Sequence, residues 1–300
     1  TTAADHHYLK VNDIRFDTCV EAARDAGIRF HLLRGSSSMG QSAGGIPPDD
    51  QVEKEDDILI DCERLIRTYH DPRPGAMTRI DLAPGSPFAV TARLMQESVA
   101  LARRHGVGSH THLAQSAEDE RYMHAKYGRS SVEMAEEWGW VGADVWFAHA
   151  TCLSDSDVAT LGRTHTGVAH CPNSNMYTAA GCCRVPDLLQ AGANVAIGVD
   201  GSAANNSSNL IDEVRSAMLL QRHCHGAQAQ SATQALELAI LGGARLLRRD
   251  DIGVIAPGRC ADVIAFDTRQ LSLSGGLHDP VAGLVLCETG RVDLSIINGR

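Results

Sequence analysis

Seven short apolar runs alternate strictly with longer amphipathic ones along these 300 residues, and no other feature narrows the fold as far. Runs at 28–33, 78–82, 107–113, 145–150, 167–170 and 194–199 read as strands, and the opening segment 1–9 adds a seventh. Helical patterns fill the intervals at 15–26, 53–70, 91–105, 117–127, 131–138, 154–161 and 185–191, and two more follow the last strand at 210–223 and 233–247. Strands separated by helices run parallel, because the chain must cross back before each new strand begins. Two architectures satisfy an alternation this long: a doubly wound open sheet and a (β/α)8 barrel.

The polar residues choose between them. Nearly every strand ends in side chains capable of chemistry: Asp5, His6 and His7 on the first, then His112 with Gln115 just beyond, His149, His170 and Asp200. In an open sheet these ends lie along a line, whereas a barrel gathers them on one face, where the βα loops carry the site. The barrel is therefore the expected fold. Imidazole and carboxylate are the donors that zinc and similar ions accept, and a catalytic ion lowers the pKa of its bound water to about 7. His112 and Asp200 are the candidate ligands. His149 belongs beside the activated water, to orient it or take its proton, and Gln115 stands where a general acid or base is wanted. An amide, however, does not titrate.

Composition removes other classes of function. The balance of 27 Lys and Arg against 37 Asp and Glu gives a net charge of −10, with no basic run to attract nucleic acid. No apolar stretch approaches the ~20 residues of a membrane span. Nine scattered cysteines, without a C-x-x-C pair, suggest neither a disulfide framework nor a zinc knuckle and fit a reducing cytoplasm. There is no G-x-S-x-G elbow, no phosphate-binding lysine loop and no H-x-E with P-C-x-x-C deaminase signature. The run Ser36, Ser37, Ser38 is expected to be a mobile loop, and His223 and His225 to face solvent or complement the helix dipole rather than bind metal.

Four motifs, in order, carry a resemblance. His110-Thr111-His112-Leu113-Ala114-Gln115, Phe147-Ala148-His149, the stretch from Gly167 through His170, Cys171 and Pro172 to Asn175, and Gly198-Val199-Asp200-Gly201-Ser202 are similar to successive strand ends of the amidohydrolase superfamily. The branch is that of guanine deaminases, 8-oxoguanine deaminases and triazine hydrolases. The opening T-T-A-A-D-H-H-Y and residues 242–247 resemble the 8-oxoguanine deaminases most, a group also labelled hydroxydechloroatrazine ethylaminohydrolase. The tail 253–267 resembles the first C-terminal strand of the superfamily's small β-sandwich.

The resemblance implies a metal-dependent (β/α)8 barrel over 1–250, comprising strands two to eight, and part of a β-sandwich over 251–300. It implies a divalent metal, zinc first and iron second, held by an H-x-H of a first strand together with His112 and Asp200. It places His149 next to the hydrolytic water, with Asp200 accepting its proton, and His170 and Asn175 against the substrate. Two departures stand out: the chain opens at the second strand, so the H-x-H is not in it, and Gln115 replaces the family's catalytic Glu. The implied reaction is deamination of an oxidised purine such as 8-oxoguanine. The alternatives are an aminohydrolase or chlorohydrolase of triazines or other N-heterocycles, and an inactive heterocycle binder. The partner is a small heterocycle, with no nucleic acid and no membrane, and a homo-oligomer stays open.

Overall fold

Every expected strand forms, and each pairs with its neighbour in the chain. The computed structural model describes residues 1–9, 14–287 and 291–300. Strands β1 (Thr2–His7), β2 (Arg29–Ser36), β3 (Thr78–Pro84), β4 (Ser109–Leu113), β5 (Val145–His149), β6 (Gly167–His170) and β7 (Asn194–Ile197) make one parallel sheet in sequence order. Helices α1 (Phe16–Asp25), α2 (Glu55–Tyr69), α3 (Ala92–His105), α4 (Ala117–Tyr127), α5 (Ser131–Glu137), α6 (Asp155–Thr164), α7 (Pro172–Tyr177), α8 (Val185–Ala191) and α9 (Leu210–His225) alternate with or follow them. Capping boxes at Ser116, Ser130 and Ser154 start α4, α5 and α6 by satisfying their free N–H groups. The short α7 was not anticipated, because its six residues are too few to show a helical period.

One contact shows that the sheet curls. Neighbouring strands lie about 4.8 Å apart, so β1 and β4 would be separated by roughly 14 Å in a flat sheet. Yet the rings of His6 on β1 and His110 on β4 have centroids 4.8 Å apart. The sheet is a barrel wall, seven strands of a (β/α)8 design, with β1 and β7 at its edges. Period-two alternation sorts the side chains across it. Ile80 and Leu82 of β3 join the outer core under α2 and α3, while Ala83, Leu33, Trp146, Ala196 and Leu246 fill the interior.

The final helical pattern is broken by one π turn. Residues Ala232–Glu237 (α10) and Gly243–Leu246 (α11) flank the π turn Leu238–Gly242. Gly242 is required there, since a Cβ would sit 2.2 Å from the carbonyl oxygen of Val195 on β7. Beyond it, β8 (Val263–Ala265) pairs antiparallel with β9 (Leu294–Ile296). A further unanticipated helix, α12 (Pro280–Leu286), places Val285 in a core with Val214 and Met218 of α9 and Ala232 and Ala235 of α10. The tail therefore packs on the barrel's helices.

The serine run departs from expectation. Gly35 and Ser36 finish β2, and Ser37, Met39 and Gly40 are buried. Ser38 and Met39 both donate their N–H to Ala89 O, at 2.8 and 2.9 Å, and Ser38 Oγ reaches Glu55. Polar composition suggested a loose loop, but these partners, 17 and about fifty residues away, hold it against the top of the barrel. Among the described residues no helix is long and apolar enough to cross a membrane.

Candidate active site

Three side chains meet at the C-terminal end of the sheet. His112, inward-facing on β4, bonds through Nδ1 to the carbonyl of Gly85 at 2.8 Å. A carbonyl only accepts, so Nδ1 carries the proton and Nε2 presents its lone pair. His149 is fixed in the same way: its Nδ1 donates to Asn175 Oδ1 at 2.9 Å, and its Nε2 lies 3.8 Å from Asp200 Oδ2. Asp200 in turn accepts from Ser174 Oγ and from the N–H of Gly201. One nitrogen each of His112 and His149 and one oxygen of Asp200 all lie within 4.8 Å of one another.

Backbone strain aims this set. His149 has φ 72° and Asp200 φ 62°, left-handed values that cost on the order of 1 kcal/mol or more each for residues with a Cβ. Ala114 and Ala150, at φ 49° and 47°, bend the chain just past β4 and β5 in the same manner. Each strand is thereby turned sharply at the rim.

Burial keeps several of the imidazoles around the site neutral. Burial, reinforced by neighbouring His112, pulls His149 down to about 4 despite the opposing pull of Asp200. Burial likewise takes His110 and His170 to about 3 and His6 well below its ordinary range. Burial would raise the Asp200 carboxyl, but the Ser174 hydrogen bond, His149 and the Gly201 N–H outweigh it and hold the group ionised. Two imidazoles and one carboxylate match the donor preference of zinc and related divalent ions, so the residues fit the metal that the fold implies.

The set opens onto a cavity of about 320 Å³ that also takes in Tyr8, Phe88, Gln115 and Asp119. Gln115 is thus in the cavity, on the rim beside His112. His170 and Asn175 are not. His170 is fully buried, within 3.4 Å of Gln221 Nε2, and Asn175 stands behind His149 as its hydrogen-bond partner. His223 and His225 are exposed, as expected.

Sequence reasoning missed Tyr8, Ser174 and Asp119. The Tyr8 ring meets His112 edge-on at 5.4 Å. Ser174 lies inside the segment already singled out, two residues past Pro172. Asp119 was signalled by the Ser116-x-x-Asp119 spacing that opens α4, and its carboxylate also accepts from the N–H of Gln115 at 2.9 Å. Burial raises its pKa, against the hydrogen bonds from Ser116 and Gln115. Glu213 ties this region together from α9: it accepts from Asn173 N at 3.2 Å and from Asn205 Nδ2 at 2.5 Å, and burial pushes it up to about 7.

The sequence model of the amidohydrolase family matches residues 1–300. The chain belongs to the amidohydrolase family. This amidohydrolase is 43% identical over 301 residues to 8-oxoguanine deaminase of Pseudomonas aeruginosa, a match that covers 100% of the chain and 67% of the relative. It is 40% identical over 309 residues to hydroxydechloroatrazine ethylaminohydrolase of a Pseudomonas species, covering 100% and 63%. Among solved structures it resembles atrazine chlorohydrolase TrzN from Arthrobacter aurescens, crystallised with zinc, with a TM-score of 0.95, 32% identity and coverage of 100% and 67%. The amidohydrolase chain thus spans about two thirds of the length of these relatives.

Proposed function

We propose that this amidohydrolase deaminates an amino-substituted N-heterocycle hydrolytically, an oxidised purine such as 8-oxoguanine being the first candidate and an amino-triazine the second. The observation that carries the reading is the convergence of His112, His149 and Asp200 within 4.8 Å at the floor of a cavity. These three would hold the ion, with zinc preferred from the donor types, and a bound ion would supply the Lewis acidity that makes water nucleophilic. Asp200, kept ionised, takes the proton of the attacking water. His149, its Nδ1–H committed to Asn175, would offer Nε2 to the ion. The water oxygen bonds to the amine-bearing ring carbon, the exocyclic C–N bond breaks, and ammonia leaves after a proton reaches its nitrogen. Tyr8 and Phe88 offer aromatic surface to a flat ring.

Gln115 supports a second reading. The position calls for a proton donor, and a neutral amide cannot fill it, so a heterocycle-binding protein with residual or no turnover is the competing reading. Ammonia release from 8-oxoguanine, guanine and an aminotriazine, measured on the zinc-loaded protein beside calorimetric titration of each compound, separates the two. Turnover that disappears in Asp200→Ala supports the deaminase. Tight binding without ammonia, in the protein and in Gln115→Glu alike, supports the binder.

A further inference from the structure

The outer face of β1 carries a second cluster of donors, separate from the cavity. Successive strand residues point to opposite faces, so His6 enters the barrel while Asp5 and His7 face outward towards α1. The inward stripe of α1 is Phe16, Val20 and Ala23, with Cys19 at its edge. Phe16 meets the His7 ring edge-on at 5.7 Å and sets the distance between strand and helix. A carboxylate oxygen of Asp5, a ring nitrogen of His7 and the sulfur of Cys19 consequently lie within 4.8 Å of one another.

We propose that Asp5, His7 and Cys19 form a second divalent-metal site, selective for zinc, that clamps β1 to α1. The donor types choose the ion: calcium and magnesium require cages of oxygen, whereas thiolate, imidazole and carboxylate together suit a borderline tetrahedral ion. With bonds of about 2.0–2.3 Å a tetrahedral ion needs donors roughly 3.5 Å apart, so small rotations of the Asp5 and Cys19 side chains complete the set. An independent observation points to a ligand here. His7 Nε2 is buried and has no hydrogen-bond partner among the described residues, which is unusual for a polar atom shut off from water. Asp5 is exposed and leaves an entry path, and a water would complete the fourth position of a tetrahedral ion. On binding, the Cys19 thiol loses its proton to solvent as the sulfur–metal bond forms, and the two anionic donors balance the charge of the ion. Because β1 also carries His6 and leads into Tyr8 at the cavity wall, the clamp steadies one side of the active site without touching it.

Cobalt(II) reads the two sites apart, since only the one with Cys19 offers a thiolate. Titration of the metal-free protein with Co²⁺ should give a near-ultraviolet sulfur-to-cobalt charge-transfer band. That band should vanish in Cys19→Ser, with loss of about one equivalent of bound metal, and persist in His112→Ala. A band that survives Cys19→Ser but is lost in Cys182→Ser, whose sulfur lies 3.9 Å from His225 Nε2, overturns the proposal. So does the absence of any band. Should Cys19→Ser fail to fold, alkylation of the unsubstituted protein with iodoacetamide, mapped by mass spectrometry, decides instead. Zn²⁺ must shield Cys19, and equal labelling with and without zinc overturns the assignment.

Discussion

His149 hangs on Asn175: the 2.9 Å hydrogen bond from its Nδ1 to Asn175 Oδ1 fixes both the tautomer and the tilt of a ring whose other nitrogen lies 3.8 Å from Asp200. Asn175 is itself buried, on the short helix that also supplies Ser174 to Asp200. One turn of helix thus orients two of the three converging donors.

Asn175→Ala should free the His149 ring and let the other tautomer form. Loss of such an outer hydrogen bond typically costs 10–100-fold in metal affinity or activity. Equilibrium dialysis against Zn²⁺, together with ammonia release, should show a drop within about that range, with the far-ultraviolet circular dichroism unchanged. Undiminished affinity would mean that packing alone orients the ring.

Gln115→Glu should restore a titratable group at the cavity rim. General acid–base catalysis is worth roughly 10²–10⁴-fold, so ammonia release should rise by at least about the lower figure, while zinc content stays the same. Equal turnover by both forms would assign the proton to another group, of which Asp119, in the same cavity, is the nearest by chemistry.

Gly35→Ala tests the seam between β1 and β2. A Cβ there would stand 2.3 Å from His7 O and 2.4 Å from Tyr8 Cα, both backbone atoms that cannot swing aside. The strands must part, at an expected cost of about 1–3 kcal/mol. Urea unfolding should show the lowered midpoint, and Tyr8 should leave its contact with His112.

Asp251 sets an acid limit on stability. Its carboxylate accepts two 2.6 Å hydrogen bonds from Arg249 and another from Gly75 N–H, and both partners of the pair are buried. The Arg249 hydrogen bonds come first among the influences that hold this carboxyl well below the usual range. A depressed folded-state pKa means that the stabilisation is fully present above the unfolded value of about 3.9 and is lost as pH falls further, through the folded one. Asp251→Asn should therefore be less stable at pH 7 by about 3–5 kcal/mol, the usual penalty for breaking a buried pair. In urea titrations the gap to the wild type should narrow below a pH of about 4; a gap independent of pH would refute the assignment.

The alternation of apolar runs sufficed for the seven strands and the longer helices of the barrel, though not for the short α7, because side-chain period reports which face of an element is buried whatever it packs against. It also sufficed to place His112, His149 and Asp200 at strand ends, since each ends a run of apolar residues or lies just beyond it. The tertiary structure alone decided what those ends do. His149 and Asp200 turn inward through left-handed backbone that no local propensity favours, held by Asn175 and Ser174, each 26 residues from its partner. His170, the same residue type at the same kind of position, lacks that turn and is buried behind the cavity beside Gln221. Ser36 and Ser37, read as loose from their polarity, are buried by contacts to distant segments. Period records burial, which is a property of an element by itself; the direction of a side chain beyond the last strand residue depends on contacts between elements far apart in the chain, and those exist only once the sheet has curled around them.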